Sequence, residues 1–135
     1  SIGTFYLQTS EYSYQALLIG AIIGFLNINL LVINNLRDYS ADKASKKNTL
    51  IVKYGIVFGK IEFSGMLVAS YIFLYIFSLS QNDLMIFYQT MPISLLAFYL
   101  VFKIIYDESF INYKALPVFS LYLLLFTFLL LYNIL

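Results

Sequence analysis

Apolar residues dominate the chain in four long stretches that contain no charged side chain. These stretches are residues 12–36, 63–82, 84–102 and 115–135. Each is about as long as the roughly 20 residues that a helix needs to cross a bilayer. A helix satisfies its backbone hydrogen bonds within one segment, whereas strands would need alternating polarity and a closed barrel. The pattern therefore predicts an all-α membrane protein with four transmembrane helices.

The polar segments between these spans differ in length. Residues 37–62 form a long polar loop, Asp83 marks a tight turn, and residues 103–114 form a second loop. Four spans place the two loops on the same side, and together they contain all eight basic residues. The positive-inside rule predicts that this side is cytoplasmic. Residues 1–11 begin with an apolar stretch too short to cross, which we interpret as the end of a preceding helix in a longer protein.

Composition narrows the possible chemistry. Hydrophobic residues make up 61% of the 135 residues, and there is no Cys and no His. Disulfides, thiolate nucleophiles, Cys/His zinc sites and imidazole acid-base catalysis are therefore excluded within this sequence. No basic patch with interleaved aromatic residues indicates nucleic-acid binding. Catalysis would have to use carboxylates, amines, amides, Tyr or a hard metal ion.

One group of polar residues lies where the first span meets the first loop. If the helix continues past residue 36, Asn27, Asn34, Asp38 and Asp42 lie within an arc of roughly 80°. Two carboxylates one turn apart repel each other, and an amide in hydrocarbon has no solvent partner, so this face is unfavourable without a ligand. Mg²⁺ would offset both unfavourable interactions. It is usually held by one or two carboxylates together with substrate phosphates.

Basic side chains surround the two carboxylates and could hold phosphate oxygens that the metal leaves uncovered. They are Arg37, Lys43, Lys46 and Lys47. The sequence therefore predicts a diphosphate bridged by Mg²⁺. The alternative is a basic juxtamembrane loop that touches anionic lipid, in which the two carboxylates are merely ion-paired to neighbours such as Lys43 and Lys46. That alternative does not explain why the polar face continues into the membrane, where polar groups mark functional sites by default.

Residues 34–55 follow the pattern N-N-x-R-D-x-x-x-D-K-A-x-x-K-x-T-L-x-V-K-x-G. This pattern resembles the second aspartate-rich motif of the UbiA superfamily of intramembrane prenyltransferases, and most of all the branch that prenylates 1,4-dihydroxy-2-naphthoate in menaquinone synthesis. Residues 3–9, GTFYLQT, are similar to an upstream segment of the same branch. The resemblance implies that the four spans are the last four of a nine-helix bundle, with the motif in a cytoplasmic loop.

The sequence departs from the family in two places. Where the family commonly has Gly-Lys-Arg-Thr, this chain has Lys46-Lys47-Asn48-Thr49, which loses a glycine and moves a positive charge. The family's first aspartate-rich motif, in the N-terminal half, has no match here. The resemblance therefore implies the C-terminal half of a prenyltransferase domain.

Roles for individual residues also follow from the resemblance. It implies that Asp38 and Asp42 are the catalytic carboxylates and hold Mg²⁺ with help from Asn34. It implies that three basic side chains neutralise the leaving diphosphate: Arg37, Lys43 and Lys47. The implied reaction transfers a polyprenyl group from polyprenyl diphosphate to 1,4-dihydroxy-2-naphthoate, giving demethylmenaquinone, in the inner (plasma) membrane.

Two alternatives remain open at this point. The acceptor could be another aromatic compound within the same superfamily, or the chain could be a non-catalytic membrane subunit that kept the motif. In each case we expect the isolated chain to be inactive, because one metal motif and four helices cannot enclose a long isoprenoid and a second substrate. The missing N-terminal half would be supplied in cis or in trans.

Overall fold

The structure is a computed structural model that describes residues 14–134. Its four long helices are α1 (Tyr14–Arg37), α4 (Ile56–Ser80), α5 (Met85–Tyr106) and α7 (Ala115–Ile134). Its three short helices are α2 (Tyr39–Ala44), α3 (Leu50–Tyr54) and α6 (Glu108–Tyr113). Between residues 14 and 134 there is no strand, and four helices are long and apolar enough to cross a membrane. The predicted all-α class is confirmed, while the predicted preceding helix over residues 1–11 lies outside the described residues.

Two of the long helices extend further than the charge-free stretches. α4 begins at Ile56 instead of residue 63, and α5 ends at Tyr106 instead of residue 102. The extra turns contain Lys60, Glu62 and Lys103, which the search for charge-free stretches excluded. Long charged side chains at the end of a span can carry their charge to the interface while the backbone stays helical. The polar segment between the first two spans is correspondingly shorter and is itself largely helical.

Packing within the bundle follows the chain order. α1 lies along α4, and α5 packs against α7 and α4. Part of the core is aromatic and contains fully buried rings from α4 and α7: Phe63, Phe119, Tyr122 and Phe126. The rings of Phe63 and Phe119 meet edge to face, with centroids 5.5 Å apart, which is a favoured geometry for aromatic pairs. Other large apolar side chains point outward, as in a protein whose surface meets hydrocarbon.

The two polar segments lie at the same end of the bundle. A cleft of about 130 Å³ is lined by residues of both segments, including Arg37, Ser40, Glu108 and Asn112. This end, which carries the basic residues, is called the basic end below. The prediction that both loops share one side is confirmed.

Gly59 brings α4 close to the motif segment. A Cβ atom at this position would lie 2.6 Å from Cδ1 of Ile51 in α3 and 2.9 Å from Cδ2 of Leu36 in α1. Gly65, in the same helix, faces open space, with nothing within 4 Å of its ideal Cβ position. The small residue at Gly59 therefore allows three helices to meet directly beneath the segment that carries the candidate site.

Candidate functional site

The helical hydrogen-bond pattern continues from α1 into α2. Asp38 lies between the two helices, with φ −91° and ψ 7°. Its backbone N–H nevertheless donates to the carbonyl oxygen of Asn34 at 2.9 Å, and the N–H of Asp42 donates to the carbonyl oxygen of Asp38 at 2.9 Å. Each bond joins residues four apart, so Asn34, Asp38 and Asp42 lie on successive turns of one face. The structure thus brings together the three predicted metal-binding residues.

Asn27 does not belong to this set in the way the sequence indicated. Its side-chain nitrogen donates to the carbonyl oxygen of Ile23 at 2.9 Å, within its own helix, and the residue is exposed. One N–H of the amide therefore has a partner within its own helix, so this residue depends less on an external ligand than the sequence indicated.

Arg37 holds the carboxylate of Asp38 through two hydrogen bonds. Its Nε donates to Oδ1 at 2.8 Å and its Nη2 donates to Oδ2 at 3.1 Å. This fork, followed by the charges of Arg37 and of Lys47, lowers the pKa of Asp38 below its usual range. Asp38 is therefore ionised at neutral pH, as a metal ligand must be. Since Lys47 also acts on Asp38, the two carboxylates share one cationic environment.

Asp42 is the more enclosed of the two carboxylates. Its side chain is 11% exposed, whereas that of its partner Lys47 is 61% exposed. Lys47 Nζ donates to Oδ1 at 3.1 Å and to Oδ2 at 3.4 Å. The buried carboxylate is thus held by an ammonium group that can leave towards solvent.

The C-terminal cap of α2 places Lys47 next to Asp42. The N–H of Lys47 donates to the carbonyl oxygen of Asp42 at 2.9 Å, and the N–H of Lys46 donates to that of Lys43 at 3.3 Å. These two bonds form a Schellman motif, whose penultimate position favours a left-handed residue, usually Gly. Lys46 occupies it with φ +56°. The glycine that the family commonly has here is therefore explained by the backbone conformation.

Two further residues of the motif shape the segment. Thr49 caps α3, with its hydroxyl oxygen accepting from the N–H of Val52 at 3.2 Å. Gly55 joins α3 to α4 with φ +93°, a conformation that residues with a side chain rarely adopt. Thr49 and Gly55 therefore have structural roles, and the charged residues of the motif remain the candidates for ligand binding.

The third predicted phosphate-binding residue, Lys43, is exposed and lies over the ring of Tyr39, with Nζ 5.6 Å from its centroid. The carboxylates are ion-paired, as the basic-loop alternative predicted, but with Arg37 and Lys47 instead of Lys43 and Lys46. The pair of Arg37 with Asp38 is well exposed, and exposed ion pairs contribute little to stability. The pair of Lys47 with Asp42 has a nearly buried carboxylate, so Asp42 needs another positive charge, such as a metal ion, when Lys47 leaves it.

The donor set fits Mg²⁺ shared with a phosphorylated ligand. Nowhere in residues 14–134 do three or more His, Cys, Asp or Glu side chains converge to hold a metal ion by themselves. Asp38 and Asp42 supply two carboxylates, with the Asn34 amide one turn away. Mg²⁺ usually keeps several waters and is held by one or two carboxylates together with substrate phosphates, so these residues could hold it only together with a phosphorylated ligand.

Asn29 is a polar residue that the sequence reasoning missed. It is fully buried in α1, and neither its side-chain nitrogen nor its oxygen has a hydrogen-bond partner among the described residues. A signal in the sequence could have found it, because apolar residues recur around it at alternating spacings of four and three, which indicates a helix face in a packed core. They are Ile22, Leu26, Ile33 and Leu36.

Asp107 organises the second polar segment, which we predicted as a loop and which contains the short helix α6. Its Oδ1 accepts from the Ser109 hydroxyl at 2.7 Å and from the N–H of Phe110 at 3.0 Å, and its Oδ2 accepts from Lys103 Nζ at 2.9 Å. The Ser109 hydroxyl, then Lys103, then the backbone N–H lower the pKa of Asp107 well below its usual range. Asp107 thus caps α6 and fixes it beside the motif segment.

Four helices of membrane-spanning length, with Asp38 and Asp42 ion-paired to Arg37 and Lys47 at one end, define an integral membrane protein with a candidate site for a metal-bound phosphorylated ligand. The UbiA prenyltransferase family matches residues 1–116, and the chain belongs to this family. It is therefore a multi-pass membrane protein of a transferase family. The resemblance found in the motif is confirmed.

A curated relative adds detail over part of the chain. Over 78 residues the chain is 35% identical to 1,4-dihydroxy-2-naphthoate octaprenyltransferase of Escherichia coli (strain K12). The match covers 58% of this chain and 25% of that relative, so the shared region is about a quarter of the relative's length. No solved structure matches the chain significantly.

Proposed function

We propose that this chain forms the Mg²⁺- and diphosphate-binding part of an enzyme that transfers a polyprenyl group from polyprenyl diphosphate to 1,4-dihydroxy-2-naphthoate, giving demethylmenaquinone in its reduced, quinol form. The observation that carries the proposal is the placement of Asp38 and Asp42 on successive turns, each with a cation held against it. Family membership supports prenyl transfer, and the name of the Escherichia coli relative supports the naphthoate acceptor.

The carboxylates and the cations would act on the diphosphate in different ways. Asp38 and Asp42, assisted by Asn34, would hold Mg²⁺, which supplies positive charge to the departing oxygens. Arg37 would turn its planar fork from Asp38 to two phosphate oxygens, since guanidinium matches carboxylate and phosphate equally well. At the same time, the ammonium group of Lys47 would move away from Asp42 into solvent.

The ion pairs also stabilise the site when no ligand is bound. Without a ligand, the two cations neutralise carboxylates that would otherwise repel each other one turn apart. When metal and diphosphate bind together, the carboxylates would hold the metal and the cations would hold the phosphate oxygens. The carbon–oxygen bond to the diphosphate would then break with diphosphate as the leaving group. The naphthoate ring carbon would form the new carbon–carbon bond and lose its carboxylate as CO₂, which leaves the ring as a hydroquinone.

Substitutions at the carboxylates test the assignment in the complete enzyme. We expect Asp38→Asn and Asp42→Asn each to lower prenyl transfer at least about 100-fold, which corresponds to a few kcal/mol of lost transition-state stabilisation. Asp107→Asn is the matched control, because Asp107 is also ion-paired to a lysine at the same end of the bundle. We expect this variant to keep most of its activity. Near-normal turnover of either motif variant would refute the proposal.

Two further measurements address the finer parts of the proposal. Chelation of divalent ions should stop the reaction of the complete enzyme, and added Mg²⁺ should restore it. In a mixture of aromatic acceptors, the naphthoate should be the one that becomes prenylated. Preference for another aromatic acceptor would keep the family chemistry and overturn the naphthoate assignment.

The proposal includes an orientation in the inner membrane, with the basic end in the cytoplasm, as the positive-inside rule favours. Because the 135 residues contain no Cys, single cysteines report the side of each loop. A membrane-impermeant thiol reagent, added to cells whose outer envelope has been permeabilised, should label Asp83→Cys while the inner membrane is intact. It should label Asn48→Cys only after the inner membrane is opened, and the reverse pattern would overturn the orientation.

A further inference from the structure

An apolar groove runs along the outward face of α4. It has a volume of about 730 Å³, extends from Val57 to Ile72, and is bounded on α5 by Ile105. Apolar side chains along it are more than half exposed: Val57, Ile61, Val68 and Ile72. The groove lies outside the candidate site, since the residues that line it do not include the motif carboxylates or their cations.

Small residues form the floor of this groove. Gly65 and Ala69 line it, and a Cβ atom built on Gly65 meets nothing within 4 Å. From Lys60 to Ile72 the helix advances by about 18 Å. Half of the hydrocarbon core of a bilayer is about 15 Å thick. The groove therefore has the length of one leaflet, the leaflet at the basic end.

Lys60 lies at the mouth of the groove, and among the described residues that line it Lys60 alone is charged. Its Nζ donates to the carbonyl oxygen of Ile105 at 2.8 Å, near the C-terminus of α5. This bond fixes the ammonium group at the rim and uses one of its three N–H donors. The other donors remain available for a phosphate group of a lipid, because Lys60 lies in the first turns of a membrane-spanning helix, next to the interface.

We propose that this groove binds an anionic phospholipid of the leaflet at the basic end. One acyl chain lies along Gly65 and Ala69, and the Lys60 ammonium group holds the headgroup phosphate. The length of one leaflet argues for an acyl chain, and the single positive charge at the interface argues for an anionic headgroup, as in other basic pockets between transmembrane helices. The inference does not depend on the proposed enzymatic function.

The test compares lipids of equal chain length with the purified, delipidated full-length protein. Saturating phosphatidylglycerol should raise Tm by about 5 °C, and phosphatidylcholine should raise it less. Lys60→Gln should remove the difference between the two lipids. Gly65→Leu, whose side chain fills the groove, should remove the response to both. Ser120→Leu, a similar enlargement at an exposed position of α7, should behave like the wild type.

The readout is the difference between lipids within each variant, so a general loss of stability in one variant does not affect the conclusion. An equal response of the wild type to both lipids would overturn the proposal, as would a full response of Gly65→Leu to phosphatidylglycerol. A fluorophore on Val68→Cys supplies a second measurement. Brominated phosphatidylglycerol should quench it more than brominated phosphatidylcholine. Absence of quenching by either lipid would show that protein covers the groove, which also overturns the proposal.

Discussion

Gly59→Ala should destabilise the protein, because α4 packs closely against α3 and α1 at this position. The new Cβ atom would lie 2.6 Å from Ile51 Cδ1 and 2.9 Å from Leu36 Cδ2, well inside the 3.5–4.0 Å at which carbon atoms attract each other. Both neighbours are side-chain ends, so they can shift, and we expect an overpacking cost of about 1–3 kcal/mol. Alanine is better than glycine in a helix by about 0.5–1 kcal/mol. The net loss should therefore be up to about 2.5 kcal/mol.

Gly65→Ala is the matched control, because it makes the same change in the same helix at a position that faces open space. The helix-propensity gain is common to both variants, so the difference between their free energies of unfolding isolates the packing cost of about 1–3 kcal/mol. Reversible unfolding in mixed micelles of detergent and dodecyl sulfate, followed by circular dichroism, measures this difference. Equal free energies of unfolding for the two variants would refute the close contact of α4 with the motif segment.

Three other substitutions test separate features. Lys46→Gly should be more stable than Lys46→Ala by about 0.5–1 kcal/mol in the same unfolding assay, because a left-handed residue with a Cβ costs about 1–2 kcal/mol and glycine loses part of that advantage to unfolded-chain entropy; a more stable alanine variant would contradict the observed cap. Asn29→Leu should raise the free energy of unfolding by about 1–3 kcal/mol by removing a buried amide that has no partner among the described residues, and a loss of stability would show that the amide has a partner in the complete fold. Asp107→Asn keeps an N-cap residue but removes a charge whose pKa is lowered on folding, so its Tm should fall below that of the wild type at neutral pH, and the gap should close as the pH drops below about 4. A gap that does not depend on pH would contradict this assignment.

The helices could be predicted because lipid imposes a simple rule on the sequence. A span must be apolar for about 20 residues, and the charge-free stretches found all four long helices. Their ends were harder to predict, since the rule excludes charged residues that the first or last turn of a span tolerates. Lys60 shows the reason, because its ammonium group reaches a carbonyl oxygen of α5. A partner 45 positions away along the chain leaves no local signal.

The helical spacing of the motif residues was also predictable, but the ion pairs that its carboxylates form were not. A separation of four residues is enough to place Asp38 and Asp42 on one face of a helix. Which cation meets which carboxylate depends on the end of α2, where the turn at Lys46 directs the chain back and brings Lys47 to Asp42. A spacing argument cannot anticipate that turn, because it assumes that the helix continues.

The conformation of Lys46 changes the meaning of the sequence departure at this position. From the sequence, Lys46 is a departure from the family, which commonly has glycine at this position. In the structure, the position needs a left-handed backbone, and the hydrogen bonds of the cap form with lysine in place of glycine. The cap therefore brings Lys47 to Asp42 with lysine at this position, at a cost in stability. It follows that Lys46→Gly should raise stability while leaving the pairing of Asp42 intact.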